Sequence, residues 1–288
     1  MKIWLDGKLV EQEEAKTSVF DHGTLYGDGI FEGIRFYNKR VFRLEDHMER
    51  LYDCAHYLLL DIPYTREELS KAVCDTAAAS GLKDGYIRLV VTRGIGNLGL
   101  NPFNCKRPSV FIIADKISLY DPAVYENGLA LITSSVRRNR PDTLCPQVKS
   151  LNYLNNILAK MEAVRQGVAE ALMLNDLGNV AECTGDNIFI VKDGAVFTPP
   201  VTDGCLDGIT RRVVLEICRE LQIPAEEKTM NRFTITCADE CFLTGTAAEC
   251  VPVTKLDAYQ LGSGKIGPVT ARILARFQEL TQTTGTSF

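Results

Sequence analysis

The sequence is poor in histidine and tryptophan and contains no paired-cysteine motif. Its 288 residues include three histidines and one tryptophan, and no two of its ten cysteines form a C-x-x-C arrangement. Zinc sites that combine cysteine with histidine therefore have few candidate ligands, and we expect no bound metal. We interpret the cysteines mainly as small core residues of a protein in a reducing compartment.

Long apolar runs and clusters of basic residues are also missing. The longest apolar runs, such as residues 110–114, have the length of a strand and are far too short for a membrane span. Residues 1–14 lack the apolar segment of a signal peptide. The net charge is −5, from 32 basic and 37 acidic residues, which argues against nucleic acid or an anionic membrane as the main partner. The composition predicts a soluble, cytoplasmic protein.

The pattern of apolar residues predicts a mixed α/β fold with two domains. Residues 117–128 lose the strand pattern and contain Asp121-Pro122 and Asn127-Gly128, which is typical of a linker. We therefore predict an N-terminal domain over 1–116, a linker over 117–128 and a C-terminal domain over 129–288. The predicted strands are 29–36, 40–42, 85–93, 109–114, 129–135, 169–174, 187–191 and 195–198. The predicted helices are 44–60, one that starts at Thr65, 152–166, 209–221 and 268–280.

Two glycine-rich segments imitate nucleotide-binding motifs. Residues 94–99 read GIGNLG and follow a predicted strand, but too few residues separate them from the next strand for a parallel crossover. We predict a loop between antiparallel strands there. Residues 262–265 read GSGK, but they lack the earlier glycine and the following serine or threonine of a phosphate-binding loop. Neither segment indicates a nucleotide site.

Several segments contain residues that helix or strand periodicity alone does not explain, and they stand in a particular order with other short motifs. They read YGDGIFEGIR from Tyr26, HMERL from His47, YIR from Tyr86, KSLNYLNN from Lys149, AECTGDNIF from Ala181, GITR from Gly208 and TGTAAE from Thr244. In this order they resemble the class IV aminotransferases, which are pyridoxal-phosphate enzymes of fold type IV. The resemblance covers about residues 4–275 and is strongest to the branched-chain amino acid aminotransferases. It implies a smaller N-terminal α/β domain, a larger C-terminal α/β pseudo-barrel domain, and pyridoxal 5'-phosphate as cofactor.

The resemblance implies a role for each matching residue. Lys149 would form a Schiff base with the cofactor and move the α-proton while an amino group passes between L-leucine, L-isoleucine or L-valine and 2-oxoglutarate. Glu182 would face the ring nitrogen, and Tyr153 would hydrogen-bond the ring hydroxyl. The residues that would bind the phosphate or line its cup are Arg50, Gly185, Leu206, Gly208, Ile209, Thr210 and Thr246.

The implied substrate pocket combines an apolar wall with a polar rim, which suits branched side chains and also the γ-carboxylate of glutamate. The backbone at Thr246 and Ala247 would take the α-carboxylate. In relatives, the tyrosine matching Tyr26 and the loop matching residues 98–100 come from the neighbouring subunit, so a homodimer or higher homo-oligomer is implied. The matching pocket positions are Tyr26, Phe31, Gly33, Arg35, Tyr86, Arg88, Leu100 and Tyr120.

Three other functions remain open at this stage. A D-amino acid aminotransferase of the same fold shares the style of the KSLN segment, whereas Tyr86-x-Arg88 and Phe31-x-Gly33 favour the branched-chain group. The apolar, tyrosine-rich pocket disfavours an aminodeoxychorismate lyase. A protein that binds pyridoxal phosphate without turnover is disfavoured because Lys149, Glu182 and Arg50 are all present.

Overall fold

Both helices and strands occur along the whole chain. The computed structural model describes residues 1–288, apart from the side chain of residue 122. The first elements are β1 (Lys2–Leu5), β2 (Lys8–Glu11), α1 (His22–Tyr26), β3 (Gly29–Tyr37), β4 (Arg40–Val41), α2 (Leu44–Tyr57), α3 (Arg66–Ala79), β5 (Gly85–Thr92) and β6 (Ser109–Asp115). There follow α4 (Pro122–Asn127), β7 (Leu129–Thr133), α5 (Leu154–Arg165), β8 (Glu170–Leu174), β9 (Val180–Cys183), β10 (Asn187–Lys192), β11 (Ala195–Thr198), α6 (Ile209–Glu220), β12 (Ala225–Glu227), α7 (Arg232–Thr236), β13 (Glu240–Gly245), β14 (Glu249–Leu256), β15 (Tyr259–Gln260), α8 (Pro268–Thr283) and β16 (Thr286–Ser287). The predicted mixed α/β class is confirmed.

The chain forms two compact units. Unit 1 contains Met1–Ile117, Val148–Asn152 and Thr281–Phe288, and unit 2 contains Ser118–Gln147 and Tyr153–Leu280. This division differs from the predicted domains in two respects. The segment predicted as a linker carries α4 and, apart from Ile117, falls within unit 2. Two segments predicted in the C-terminal domain fall within unit 1.

Unit 1 is built on an antiparallel sheet with the strand order β16-β4-β3-β5-β6-β1-β2. The central pair, β3 and β5, is in register from Gly29 opposite Thr92 to Phe36 opposite Gly85. Helices α2 and α3 pack on this sheet, and apolar residues such as Ile34 and Met48 fill the core. The glycine-rich residues 94–99 lie between antiparallel β5 and β6, as predicted.

Unit 2 is built on a mixed sheet with the strand order β12-β11-β10-β13-β14-β7-β8-β9, and β15 pairs with β14. The pairs β7/β8, β14/β7 and β11/β12 are parallel, and the other neighbours are antiparallel. Its core is a separate apolar cluster that includes Leu172, Ile188, Leu243 and Val251. Strands β8, β9 and β10 are almost wholly buried, so the polar residues on them lie in water-poor surroundings.

The described residues form neither a metal site nor a membrane span. None of their groups of histidine, cysteine, aspartate and glutamate could hold a metal ion. Across the same part of the chain, no helix has both the length and the apolar character needed to cross a membrane. All ten cysteines are free thiols, and six of them are buried, which confirms their predicted role as core residues.

Candidate active site

Lys149 lies on a short extended segment beside the edge of β3. Its carbonyl accepts a hydrogen bond from the backbone N–H of Phe31 at 3.0 Å, and its own N–H donates to the thiol sulfur of Cys54 at 3.3 Å. The Lys149 Nζ atom lies 4.5 Å from the centre of the Phe31 ring. The backbone of this segment is therefore bonded to both a strand and a helix of unit 1, and its amine faces an aromatic ring.

A second cation shares the ring of Phe31. The guanidinium carbon of Arg88 lies 4.6 Å from the ring centre, and Arg88 Nη2 donates to the Tyr86 hydroxyl at 3.1 Å. Side chains alternate along a strand, so these residues and Gly33 lie on one face of the β3/β5 pair. A Cβ atom at Gly33 would stand only 2.0 Å from the Tyr86 hydroxyl oxygen. Glycine at this position therefore makes room for the tyrosine ring.

Arg35 lies farther along the same face, opposite Tyr86 in the register. Its guanidinium carbon stands 5.0 Å from the centre of the Tyr37 ring. This contact places Arg35 at the end of the pocket face that is remote from Lys149.

The opposite face of β3 carries a buried carboxylate. Glu32 is fully buried and accepts hydrogen bonds from Arg50 Nε at 2.7 Å, Arg50 Nη2 at 2.8 Å and His47 Nδ1 at 2.7 Å. His47 and Arg50 are one helical turn apart on α2, which is why both side chains reach the same strand residue. We call Glu32, His47 and Arg50 the Glu32 cluster.

Tyr26 ends α1 and contacts the glycine-rich loop of its own chain. Its hydroxyl accepts a hydrogen bond from the backbone N–H of Gly99 at 3.0 Å. The side chains of Leu98 and Leu100 on either side are largely exposed. The structure thus brings together two of the predicted pocket elements within unit 1 and leaves their apolar side chains uncovered within one chain.

In unit 2, Glu182 on β9 is a buried carboxylate held by fixed donors. Arg138 Nε donates to it at 2.8 Å, the Leu206 backbone N–H at 3.0 Å and Asn187 Nδ2 at 3.4 Å. A carboxylate offers about four lone-pair positions, so Glu182 can still accept one further donor. The Asn187 amide also bonds the Leu206 carbonyl at 2.8 Å, which ties the loop before α6 to the Glu182 site.

The predicted phosphate-binding residues of unit 2 lie around the start of α6. Gly208 is the N-cap residue, and Ile209 and Thr210 form the first helical turn, whose N–H groups favour an anion. A Cβ atom at Gly208 would meet the Asn187 side-chain oxygen at 2.1 Å, so the position requires glycine. Gly185, by contrast, has open space where a side chain would stand.

Tyr120 and Asp186 form a buried pair in unit 2. The Tyr120 hydroxyl donates to Asp186 at 3.2 Å, and burial is the main reason that the pKa of Asp186 rises to about 7, with the nearby Glu170 adding to the rise. The Asp186 carboxyl also lies against Gly245, where a Cβ atom would stand 2.0 Å from its oxygen. Thr246 and Ala247 follow Gly245 in the turn between β13 and β14. Asp186 thus contacts the predicted pocket residue Tyr120 and the glycine that precedes this turn.

Tyr153 lies at the N-cap position of α5, where the sequence predicts it, and is half-buried. Its side chain makes no capping hydrogen bond to the helix. The implied role of Tyr153 at the ring hydroxyl stays a prediction.

The residues that hold the predicted ones in place were not among the predicted site residues. Glu32 and His47 contact Arg50 or its partner, Arg138 contacts Glu182, and Asp186 contacts Tyr120. One signal was present, because Glu32 interrupts the apolar run of β3 with a charge. A charge at such a position is costly unless it is paired, and its partners lie 15 and 18 residues away.

Comparison with known proteins gives consistent results over nearly the whole chain. The sequence model of the family described as "Amino-transferase class IV" matches residues 29–256. A protein of Methanocaldococcus jannaschii, provisionally named branched-chain-amino-acid aminotransferase, is 50% identical over 280 residues, which are 97% of this chain and 96% of that protein. The solved Escherichia coli branched-chain amino acid aminotransferase superimposes with a TM-score of 0.96 at 37% identity, covering 99% of this chain and 95% of that one. The solved T.th. branched-chain amino acid aminotransferase, complexed with N-(5'-phosphopyridoxyl)-L-glutamate, superimposes with a TM-score of 0.93 at 38% identity, covering 97% of this chain and 93% of that one.

Proposed function

The chain belongs to the class IV aminotransferases, and on this premise we propose that it transfers amino groups between L-branched-chain amino acids and 2-oxoglutarate. Relatives that match almost all of the chain carry the name branched-chain aminotransferase. The observation that carries the substrate proposal is the Phe31 ring, which contacts both the Lys149 amine and the Arg88 guanidinium. An apolar surface beside a reactive amine suits a branched side chain, and a cation on the same surface suits the carboxylate of glutamate.

The residues present fit pyridoxal 5'-phosphate as the cofactor. Lys149 supplies the amine that can bond an aldehyde, and Arg50 and the first turn of α6 supply donors for a phosphate dianion. Glu182 has acceptor capacity left for a ring N–H, and the buried hydroxyl of Thr244 has no hydrogen-bond partner among the described residues. Thr244 lies opposite Asn187 in the register of β10 and β13, beside the donors that hold Glu182. The unused bonding capacity of Glu182 and Thr244 suits a polar heterocycle.

The proposed chemistry divides among a few side chains. Pyridoxal 5'-phosphate, when bound, supplies a sink for the electron pair that remains when the α-proton leaves. Lys149 Nζ would take that proton from the substrate α-carbon and pass it to the cofactor carbon that receives the amino group. Glu182, which Arg138 and the Leu206 N–H fix in place, keeps a proton on the ring nitrogen. Tyr153 would donate to or accept from the ring hydroxyl.

Substrate binding is assigned to the face of β3 and β5 that carries Phe31, Gly33, Tyr86 and Arg88. The close fit of Gly33 under the Tyr86 hydroxyl gives this face an aromatic wall. The backbone N–H groups of the turn at Thr246 and Ala247 are proposed to bind the α-carboxylate. Arg35 would support the rim, and Tyr120 would line the pocket.

A homodimer or higher oligomer is part of the proposal. Leu98 and Leu100 expose large apolar side chains, and Tyr26 fixes the loop that carries them. Exposed apolar side chains on a fixed loop favour burial against a second copy. The proposed role of Tyr26 and Leu100 is to complete the pocket of the neighbouring subunit. The predicted cytoplasmic location stays a prediction.

The cofactor proposal is tested on the purified protein. We expect a yellow protein, or a colourless one that turns yellow with pyridoxal 5'-phosphate, and borohydride should then fix the cofactor to Lys149 in a peptide identified by mass spectrometry. Lys149→Ala should abolish transamination while still binding the cofactor noncovalently. A variant with activity near that of the wild type would show that another lysine is used.

The substrate proposal is tested with a panel of amino donors and 2-oxoglutarate as acceptor. L-leucine, L-isoleucine and L-valine should be deaminated, and D-alanine should not. Activity with D-alanine alone would replace the proposal with a D-amino acid aminotransferase. Release of pyruvate from aminodeoxychorismate without an acceptor would replace it with the lyase.

A further inference from the structure

We propose that Glu32 is a positioning residue for Arg50, and that the Glu32 cluster sets the orientation in which the guanidinium meets the cofactor phosphate. This inference rests on the proposed function, which assigns that phosphate to Arg50. It concerns a residue that makes no contact with substrate in the proposed chemistry, because Glu32 lies on the face of β3 opposite to Phe31 and Gly33.

The geometry fixes the guanidinium plane along one edge. Arg50 Nε and Nη2 donate to the two different oxygens of Glu32 at 2.7 and 2.8 Å, which is the two-pronged arrangement of a planar guanidinium on a carboxylate. The His47 Nδ1 atom lies 2.7 Å from the second oxygen and holds the carboxylate in turn. Two of the five Arg50 N–H donors are thus assigned to Glu32, and this fixes the direction in which the rest of the guanidinium faces.

The protonation states follow from burial and charge. Burial alone would raise the pKa of Glu32, but Arg50 and His47 outweigh it and hold the pKa below its ordinary value. Burial lowers the pKa of His47 although Glu32 opposes it, and the charges of Arg50 and Lys149 act with burial. Glu32 is therefore ionised and His47 neutral near pH 7, so His47 must carry its proton on Nδ1 to donate to a carboxylate.

Two effects of removing the Glu32 charge compete. Without the carboxylate, the long arginine side chain loses the bonds that fix its plane, and part of the binding free energy is then needed to order it. In the other direction, removing the carboxylate also removes a negative charge that repels the phosphate dianion. Arg50 binds directly against Glu32 and compensates that charge, so we expect the loss of orientation to dominate.

The test compares two forms of the cofactor, with and without the phosphate. Apoprotein is titrated with pyridoxal 5'-phosphate and with pyridoxal, and the dissociation constants are read from the absorbance of the bound form. Glu32→Gln should weaken binding of pyridoxal 5'-phosphate roughly 10- to 100-fold, the value of a charge-assisted hydrogen bond, and should change pyridoxal binding less than about threefold. Arg50→Lys should likewise weaken binding of pyridoxal 5'-phosphate more than binding of pyridoxal. In the double variant, the loss of affinity for pyridoxal 5'-phosphate should be smaller than the product of the two single fold-changes.

A matched control is present in the same unit. Asp28 holds Arg93 through Nε at 2.9 Å and Nη2 at 3.0 Å, the same two-pronged geometry at another arginine. Asp28→Asn should affect both forms of the cofactor equally. If Glu32→Gln does not yield folded protein, His47→Phe keeps the carboxylate–guanidinium pair and should weaken only pyridoxal 5'-phosphate binding, by roughly 2- to 10-fold.

The outcomes separate this inference from the proposed function. A wild-type protein that binds neither form contradicts the proposed function itself. The positioning role of Glu32 is overturned if the wild type binds pyridoxal 5'-phosphate but the variants behave in one of three ways. These are an equal loss of affinity for both cofactor forms, no loss of affinity for either form, and tighter binding of the phosphorylated form.

Discussion

At the scale of single residues, Asp186 is a carboxyl group whose charge the fold disfavours. Burial raises its pKa to about 7, from an ordinary value of 3.8. The groups around it are Tyr120, Glu170, Lys160 and Glu182, of which Tyr120 and Lys160 oppose the rise. An acid with a higher pKa in the folded chain binds its proton more tightly there, so its contribution to stability falls as the pH rises from about 4 to about 7.

We therefore predict that Asp186→Asn gains stability relative to the wild type as the pH rises. The asparagine oxygen can still accept the Tyr120 hydroxyl, but the variant has no charge to bury. The measurement is urea unfolding of both proteins at pH 5 and pH 8, and the difference in unfolding free energy should favour the variant more at pH 8.

A control for this prediction is Glu162→Gln. Hydrogen bonds from Ser135 and Ser134 lower the pKa of Glu162. The contribution of Glu162 to stability therefore changes with pH mainly below its ordinary pKa of 4.5. The cost of that substitution should be equal at pH 5 and pH 8. A parallel shift of both variants between the two pH values would contradict the assignment to Asp186.

The proposed catalytic and cofactor-binding residues could be named from the sequence, and their supports could not. Lys149, Glu182 and Arg50 stand in short segments that resemble those of the class IV aminotransferases, and their roles stay predictions. Glu32 becomes meaningful only when β3 and α2 are packed together, because its partners come from another element. The spacing of these residues along the chain does not predict that contact.

At the scale of elements, the structural role of the glycine-rich loop can be tested by comparing two glycines with similar backbone angles. Gly94 has φ +86° and Gly81 has φ +69°, both in the left-handed region. A Cβ atom at Gly94 would stand 1.9 Å from the Arg107 carbonyl oxygen, whereas at Gly81, after α3, it would meet nothing within 4 Å. The first glycine of the GIGNLG segment thus serves a close approach of two backbones.

We predict that Gly81→Ala costs roughly 1–2 kcal/mol, the penalty of a left-handed residue with a side chain. Gly94→Ala should cost about 1–3 kcal/mol more, because the backbone near Arg107 must also move. Chemical denaturation of both variants measures the difference. Equal costs would show that the loop yields to the added methyl group.

Most helix starts and several long strands followed from the sequence, but strands β13 and β14 and some short elements did not. Helix α3 begins after Thr65, where a helix start was predicted, and Thr65 caps it with a reciprocal bond to Glu68. Asp121-Pro122 was interpreted as a turn in a linker, but the same pair also suits a helix start, and Asp121 accepts the Ala123 N–H at the N-cap of α4. Strand β14 was not predicted, and it contains Pro252, which lies opposite Phe242. Proline lowers the expectation of a strand because it removes one ladder hydrogen bond.

At the scale of the whole molecule, α5 carries an apolar stripe on its outer side. Asn156, Ala159 and Ala163 are its buried residues. On the remaining surface, five large apolar side chains are exposed at helical spacing: Leu154, Ile157, Leu158, Met161 and Val164. A stripe of this kind is typical of a surface that is covered by a partner.

We predict that the chain self-associates and that this stripe contributes. Light scattering coupled to size exclusion should give twice 31.9 kDa or a higher multiple for the wild type. Replacing both Ile157 and Met161 with lysine should shift the mass toward the monomer, because burying two charges opposes association.

The control carries the same added charge at the exposed residues Gln222 and Gln282, and its mass should not change. A monomeric wild type contradicts the predicted oligomer. An oligomeric wild type whose mass the stripe variant leaves unchanged places the interface elsewhere, such as at the loop of Leu98 and Leu100.

The last strand has a consequence for biosynthesis. β16 pairs with β4, and the ring of Phe288 lies 5.4 Å from that of Phe36 in the core of unit 1. A ribosome makes residues 118–280, the stretch that contains all of unit 2, before it reaches this strand. Until β16 has been synthesised, unit 1 of the growing chain therefore keeps an open sheet edge and an unfilled site beside Phe36. A chaperone can bind at this edge throughout that time.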